Sequence, residues 1–287
     1  MTDAENAARI YRAIQGQARS EQAKTGKPVD TSKLFTRHLL ESFLDRLSRS
    51  EHADGFVLKG GVLLAAYGVR RPTKDLDAEA IGADVSVGLL RQVVSDVVAV
   101  EAHDGIEFDL DTLTIREIRD DAEYPGLRLR MRARLATWNG VTAWDVSTGD
   151  PIVPAPHRAR LPRVHGEDIV VLGYRPETAI AEKGVTILER GITSTRWRDY
   201  VDIVQLFEHF DIDGRQFLEA ARAVAAYRQV ELGPVAPVLA GYGALAQPKW
   251  AAWRRKERLE DICADLLDDQ IGRVTAFLDP VFRPGQG

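Results

Sequence analysis

The residues best equipped for chemistry lie close together in the first third of the chain. Gly60-Gly61 is followed, thirteen residues later, by Asp75-Leu76-Asp77. Two glycines between a strand and a helix let backbone N–H groups approach a ligand closely, at the positive end of that helix. A triphosphate suits such a place. Residues two apart on a strand leave the same face, so the carboxylates of Asp75 and Asp77 stand side by side. That arrangement is repulsive unless a divalent cation joins them. Magnesium takes carboxylate and phosphate oxygens together, so acids and glycines describe one site. Asp145, between Trp144 and Val146, is a third acid, and a charge inside an apolar strand is costly unless paired or metal-bound. Three carboxylates could seat two metals, which would activate an attacking hydroxyl and stabilise a leaving pyrophosphate. The plainer alternatives are strand-end acids facing Arg70, Arg71 and Lys74, and for Asp145 an arginine partner.

Those residues need elements to hold them. Phe56-Val57-Leu58 reads as a buried strand running into Lys59-Gly60-Gly61, residues 62–67 as a helix, 76–81 as a strand and 85–100 as a helix. Before them, residues 5–22 and Thr31–Arg49 have helical apolar spacing, with Thr31 or Ser32 as a cap. From 105 to 146 the period becomes two, predicting half-buried antiparallel strands with a hairpin turn at Asn139-Gly140. The Pro-rich stretch 151–162 predicts a boundary, and 169–174 one more short strand. Beyond it, 177–189, 196–209, Gly214–Tyr227, 248–267 and 271–278 read as helices. The expected division is 1–165, N-terminal helices plus an α+β core, and 166–287, mostly helical.

The 287 residues are 45% apolar and 28% charged, which excludes a disordered chain. The most apolar stretch, 56–69, carries Lys59 and is far short of the ~20 residues a bilayer span needs. The first 22 residues carry no signal-peptide pattern, and Cys263 alone supports neither a disulfide nor a thiolate zinc site. A cytoplasmic location is therefore expected. At a net charge of −5, contact with nucleic acid must use a local patch.

The glycine pair, the Asp-x-Asp and the later acidic strand resemble the polymerase-β-like nucleotidyltransferase superfamily. Four ordered blocks sharpen the resemblance: Phe56-Val57-Leu58-Lys59-Gly60-Gly61 with Arg71-Pro72-Thr73-Lys74-Asp75-Leu76-Asp77; Trp144-Asp145-Val146-Ser147-Thr148-Gly149-Asp150; Ile180-Ala181-Glu182-Lys183; and Arg198-Asp199-Tyr200-Val201-Asp202-Ile203. Together they are similar to the AbiEii/AbiGii toxin family, which includes the MenT-type toxins. The resemblance implies an α+β nucleotidyltransferase core with a mixed or antiparallel sheet, followed by a helical domain. It also implies a toxin with a cognate antitoxin, using NTP and Mg²⁺ to add NMP to the 3′ end of tRNA and block translation. On this reading Asp75, Asp77 and Asp145 hold metal, and with Lys183 and Asp199 they form the catalytic set. Lys59, Gly60, Gly61, Thr73, Lys183 and Asp202 line the nucleotide. A protein or small-molecule acceptor, or a catalytically idle relative, are the alternatives. The chain departs from many superfamily members by having Gly61-Val62 where Ser or Thr stands, leaving phosphate contact there to backbone N–H groups.

The Arg128, Arg130, Arg132, Arg134 row puts four guanidinium groups on one strand face. It could track RNA phosphates, or pair across strands with Glu107, Asp109 and Asp111. Residues 157–163 and 249–258 are also basic, the latter with Trp250 and Trp253, which could stack on an unpaired RNA end or serve as core.

Overall fold

The computed structural model describes residues 2–69, 73–82, 85–118 and 126–283. Arg71 and Pro72, which open the Asp-x-Asp block, and Arg70 before them lie outside the described residues. In chain order the elements are α1 (Asp3–Thr25), α2 (Thr31–Arg49), β1 (Phe56–Lys59), α3 (Gly60–Ala66), β2 (Leu76–Ala80), α4 (Val87–Ala99), β3 (Ile106–Glu117), β4 (Gly126–Leu135), β5 (Trp138–Ser147), β6 (His157–Leu161) and β7 (Ile169–Gly173). Helices α5 (Pro176–Arg190), α6 (Trp197–His209), α7 (Gly214–Tyr227), α8 (Tyr242–Glu257) and α9 (Leu267–Phe282) follow. The chain forms two compact units, one of residues 1–66, 70–149 and 158–173, the other of 67–69, 150–157 and 174–287.

The first unit is built on a seven-stranded sheet ordered β3-β4-β5-β2-β1-β7-β6. It is mixed. β3, β4 and β5 pair antiparallel, β1 and β2 antiparallel, while β2–β5 and β1–β7 run parallel. The alternation along β4 decides its faces. Leu127, Leu129, Met131, Ala133 and Leu135 are buried and the arginines between them exposed. Ile10, Ile14, Phe35 and Leu39 of α1 and α2 cover the buried face against Ile106, Ala133 and Leu135. Trp144 is driven between Phe43 and Phe56 on the same side. With that face sealed by apolar contact, the acids at odd positions of β2 and β5 are left on the other.

Local chemistry explains where the boundaries moved from their expected places. Asp30, not Thr31 or Ser32, caps α2, accepting from the Ser32 N–H at 3.0 Å. The β4–β5 turn falls at Ala136 and Thr137, with Ala136 at φ 52°, rather than at Asn139-Gly140. Gly140 lies inside β5 because the Trp138 ring lies across it; a Cβ there would sit 2.2 Å from the indole. Residues 157–161, read as part of a Pro-rich boundary, form β6.

The second unit is helical apart from its connecting segments. α8 starts well before Pro248 because Tyr242, Ala246 and Trp250 continue one buried stripe four residues apart. It stops at Arg258, which adopts the left-handed conformation at φ 58°, so 248–267 is not one helix. Trp197, Trp250 and Trp253 pack at centroid separations of 5.2–6.1 Å. Trp250 is fully buried and therefore core, and the half-buried Trp253 stacks on it.

Candidate active site

Strand register assembles the site in the first unit. Lys59 of β1 stands opposite Asp77 of β2, Asp77 opposite Asp145 of β5, and Asp145 opposite Arg128 of β4. Directly opposed residues share a sheet face, so these side chains form one row across four strands. β2 and β5 are far apart in sequence, and their parallel pairing is what brings the two acids to adjacent positions.

Gly60 has φ 66°, a left-handed conformation that glycine adopts at little steric cost. A Cβ on it would fall 2.0 Å from Asp77 Oδ2. The Asp77 carboxylate therefore lies flat against the first turn of α3, where only a glycine leaves room. Asp75 immediately precedes β2, and the Thr73 hydroxyl lies 3.2 Å from both its backbone oxygen and its Oδ1. Gly61 is buried at the start of α3.

One neighbour of this row escaped the sequence reading. Glu79 continues the alternation of Asp75 and Asp77 and is completely buried. It accepts from Lys59 Nζ at 3.0 Å and from Ser147 Oγ at 2.7 Å. A carboxylate without solvent needs such partners; extending the period-two pattern by one step would have found it. Lys59, expected at the nucleotide, has its ammonium on Glu79. At the other end of the row stands Arg128. Its Nε and Nη2 donate to Oδ1 and Oδ2 of Asp145 at 2.8 and 2.7 Å, a bidentate pair. The arginine partner weighed for Asp145 is thus present.

Asp75 and Asp77 offer hard oxygen donors suited to magnesium, beside a glycine that leaves space against the backbone. For Asp145 to join them, a metal would compete with Arg128 for its oxygens. Among the described residues, three donor groups converge within 4.8 Å at Glu51, His52 and Asp96, not at Asp75, Asp77 and Asp145.

The second unit brings the other predicted residues together. Lys183 on α5 reaches Asp199 Oδ1 at 2.6 Å and Asp202 Oδ2 at 3.0 Å, both on α6, and Arg196 donates to Asp199 Oδ2 at 2.8 Å. Asp202 is fully buried and Asp199 nearly so. Burial raises the Asp199 pKa, but the charges of Lys183 and Arg196 outweigh it and hold the carboxyl far below the usual range. Arg228, which the sequence did not single out, is buried on Asp150 at 2.6 and 3.0 Å and on Thr186 at 2.8 Å. Asp150 ends the block that contains Asp145, so that block serves both units.

The model of the nucleotidyl transferase AbiEii toxin family, of type IV toxin–antitoxin systems, matches residues 42–279. The chain belongs to this family. The AbiEii match covers the sheet from the end of α2 onward and nearly all of the helical unit. No curated protein sequence matches the chain. The fold is shared with JHP933 of Helicobacter pylori, at 16% identity, 88% coverage of this chain, 93% of that one and a TM-score of 0.50. It is shared equally with a candidate nucleotidyltransferase of H. pylori, at 16% identity, 88% and 96% coverage and a TM-score of 0.50. As an AbiEii protein the chain is a toxin–antitoxin nucleotidyltransferase acting on NTP, with an antitoxin as counterpart. Among the described residues no helix is long and apolar enough to cross a membrane.

Proposed function

We propose that this toxin transfers NMP from an NTP to the 3′ end of tRNA, which blocks aminoacylation and so translation. The observation that carries the nucleotidyl-transfer site is the row Lys59, Asp77, Asp145 with Asp77 pressed on Gly60. Asp75 and Asp77 would hold magnesium, which when bound draws charge from the phosphates and lowers the pKa of the attacking hydroxyl. The acceptor O3′ forms a bond to the α-phosphorus, the bond to the bridging oxygen breaks, and pyrophosphate leaves. The hydroxyl proton leaves on the side of Asp145, whose carboxylate Arg128 holds in place. Gly60 and Gly61 supply backbone N–H groups to the phosphates, with Thr73 steadying Asp75 through its hydroxyl. Family resemblance assigns Lys183 to the triphosphate, where its charge offsets that of the leaving group. The ion pairs to Asp199 and Asp202 set its orientation. The intact like-charge pair at 75 and 77 argues against an idle relative, which would be free to lose it.

The test is incubation of the purified chain with each labelled NTP, Mg²⁺ and total tRNA. Label at the tRNA 3′ end is expected. Label on protein or a small molecule would change the acceptor. Asp77→Ala is expected to abolish transfer and toxicity while the chain still folds, as a cooperative melting transition would show. Full activity in that variant would end the metal assignment.

A further inference from the structure

The exposed face of β4 is richer in positive charge than its neighbours neutralise. Its four arginines are matched in register to Glu107, Asp109, Thr114 and Arg116 on β3, and to Asn139, Val141, Ala143 and Asp145 on β5. Only the ends are clamped. Arg134 Nη2 reaches Glu107 at 2.6 Å and Arg128 grips Asp145. Between them, Arg130 faces a threonine and an alanine. Arg132 stands opposite Asp109, but among the described residues neither Arg130 nor Arg132 joins an ion pair. An open hollow of about 640 Å³ lies at the Arg132–Arg134 end of this face, with Asp109, Arg132, Arg134 and Gly140 among its walls.

Successive arginines are spaced by about 6.6 Å, two strand rises. That is similar to the separation of neighbouring phosphates along an extended nucleic-acid strand. Like charges held in line on a rigid strand repel one another, and a linear polyanion is the ligand that turns this repulsion into attraction. Direction selects the polyanion. The line ends at Arg128, whose partner Asp145 stands beside Asp77, so a strand laid along β4 is led with its end toward the acid row. A folded protein or a membrane surface has no such terminus to deliver.

We infer that the exposed face of β4 is a phosphate track on which Arg130 and Arg132 hold the backbone of the single-stranded 3′ end of the RNA acceptor. This inference rests on the tRNA reading above. Arg130 and Arg132 are positioning residues. Their place in the row keeps them clear of the metal ligands.

The experiment compares the full chain with Arg130→Glu/Arg132→Glu, with the milder Arg130→Gln/Arg132→Gln, and with Arg215→Gln as an exposed control off the strand. KM for tRNA and for NTP is measured across a salt series, and melting temperature is checked. The double Glu variant is expected to raise KM for tRNA roughly ten-fold or more at about 0.1 M salt. The salt slope falls by about 2 for two lost phosphate contacts. KM for NTP and melting temperature stay unchanged. The Gln pair moves the same way by less and carries the test if the Glu pair misfolds. The control does not move. If the wild type labels tRNA and both double variants keep its KM and salt slope, the track is wrong and the acceptor reading stands. If the wild type labels no tRNA, the acceptor reading falls and the track with it.

Discussion

Asp145 shows how one residue can answer to two kinds of chemistry. Its bidentate bond to Arg128 satisfies both carboxylate oxygens, which an acid flanked by buried Trp144 and Val146 requires. Its register position puts it beside Asp77. On the proposed reading it also serves the magnesium site, and there Arg128 is a competing cation. The expected consequence is measurable. Arg128→Gln should lower the Mg²⁺ concentration needed for half-maximal transfer several-fold, because the carboxylate no longer has to leave a guanidinium. An unchanged or higher requirement would show that Asp145 is not a ligand. The sequence made both partners visible, Asp145 in its strand and Arg128 in the arginine row. It did not show that they face each other, because register between two hairpin strands depends on where the turn falls. The turn sits at Ala136 and Thr137, where the Trp138 ring over Gly140 keeps Asn139-Gly140 in the strand.

At the scale of elements, α5 and α6 are joined by a buried electrostatic knot. Lys183 projects from α5 and meets two carboxylates one turn apart on α6. Asp199 and Asp202 on one helix face were legible from their spacing of three. That Lys183 is their partner was not, because the buried apolar residues of α5 and α6, such as Ile180, Val185, Ile203 and Leu206, form a pattern that names no partner. Removing the lysine leaves two buried acids short of a cation. Lys183→Met is therefore expected to cost about 3 kcal/mol, the low end for breaking a buried pair because Arg196 still serves Asp199. That would lower the melting temperature by roughly 6–12 °C. Thermal denaturation measures this directly, and Lys183→Arg should recover most of the loss. A stable but inactive Lys183→Met would place the residue's main duty on substrate rather than in the fold.

For the whole molecule, the pH response of stability follows from groups buried under the sheet. His38 is fully buried with Nε2 2.9 Å from the Asp104 carbonyl oxygen. Burial lowers its pKa, with Arg163 and His165 acting in the same direction; His165 is lowered as well, chiefly by burial. The unfolded chain takes up these protons near pH 6.5 and the folded chain only below it, so stability is full above about pH 6.5 and declines as pH falls. Glu41, raised by burial, works the other way: its contribution is present at low pH and lost as pH rises through its folded value. Urea unfolding at about pH 7.5 and 5.5 should therefore show a loss for the wild type. His38→Gln, which keeps a donor for Asp104, should flatten it by up to about 1.4 kcal/mol per pH unit. An unchanged pH slope would mean that His38 is protonated in the folded state.

The sequence alone determined what depends on neighbours within a few residues. Helical and two-residue periods marked α2, β2, β4 and α7. The glycine pair before the Asp-x-Asp marked the nucleotide chemistry, and four ordered blocks marked the AbiEii family. Tertiary structure decided what depends on strand pairing and burial. It set Asp77 beside Asp145 and against Gly60, turned Lys59 to the buried Glu79, and gave Asp145 to Arg128. It also drew β7, expected in the second domain, into the sheet beside β1. The physical reason is the range of the forces. Periodicity records which face of an element avoids water, whereas the partner a buried charge finds is set only when distant strands close into one sheet.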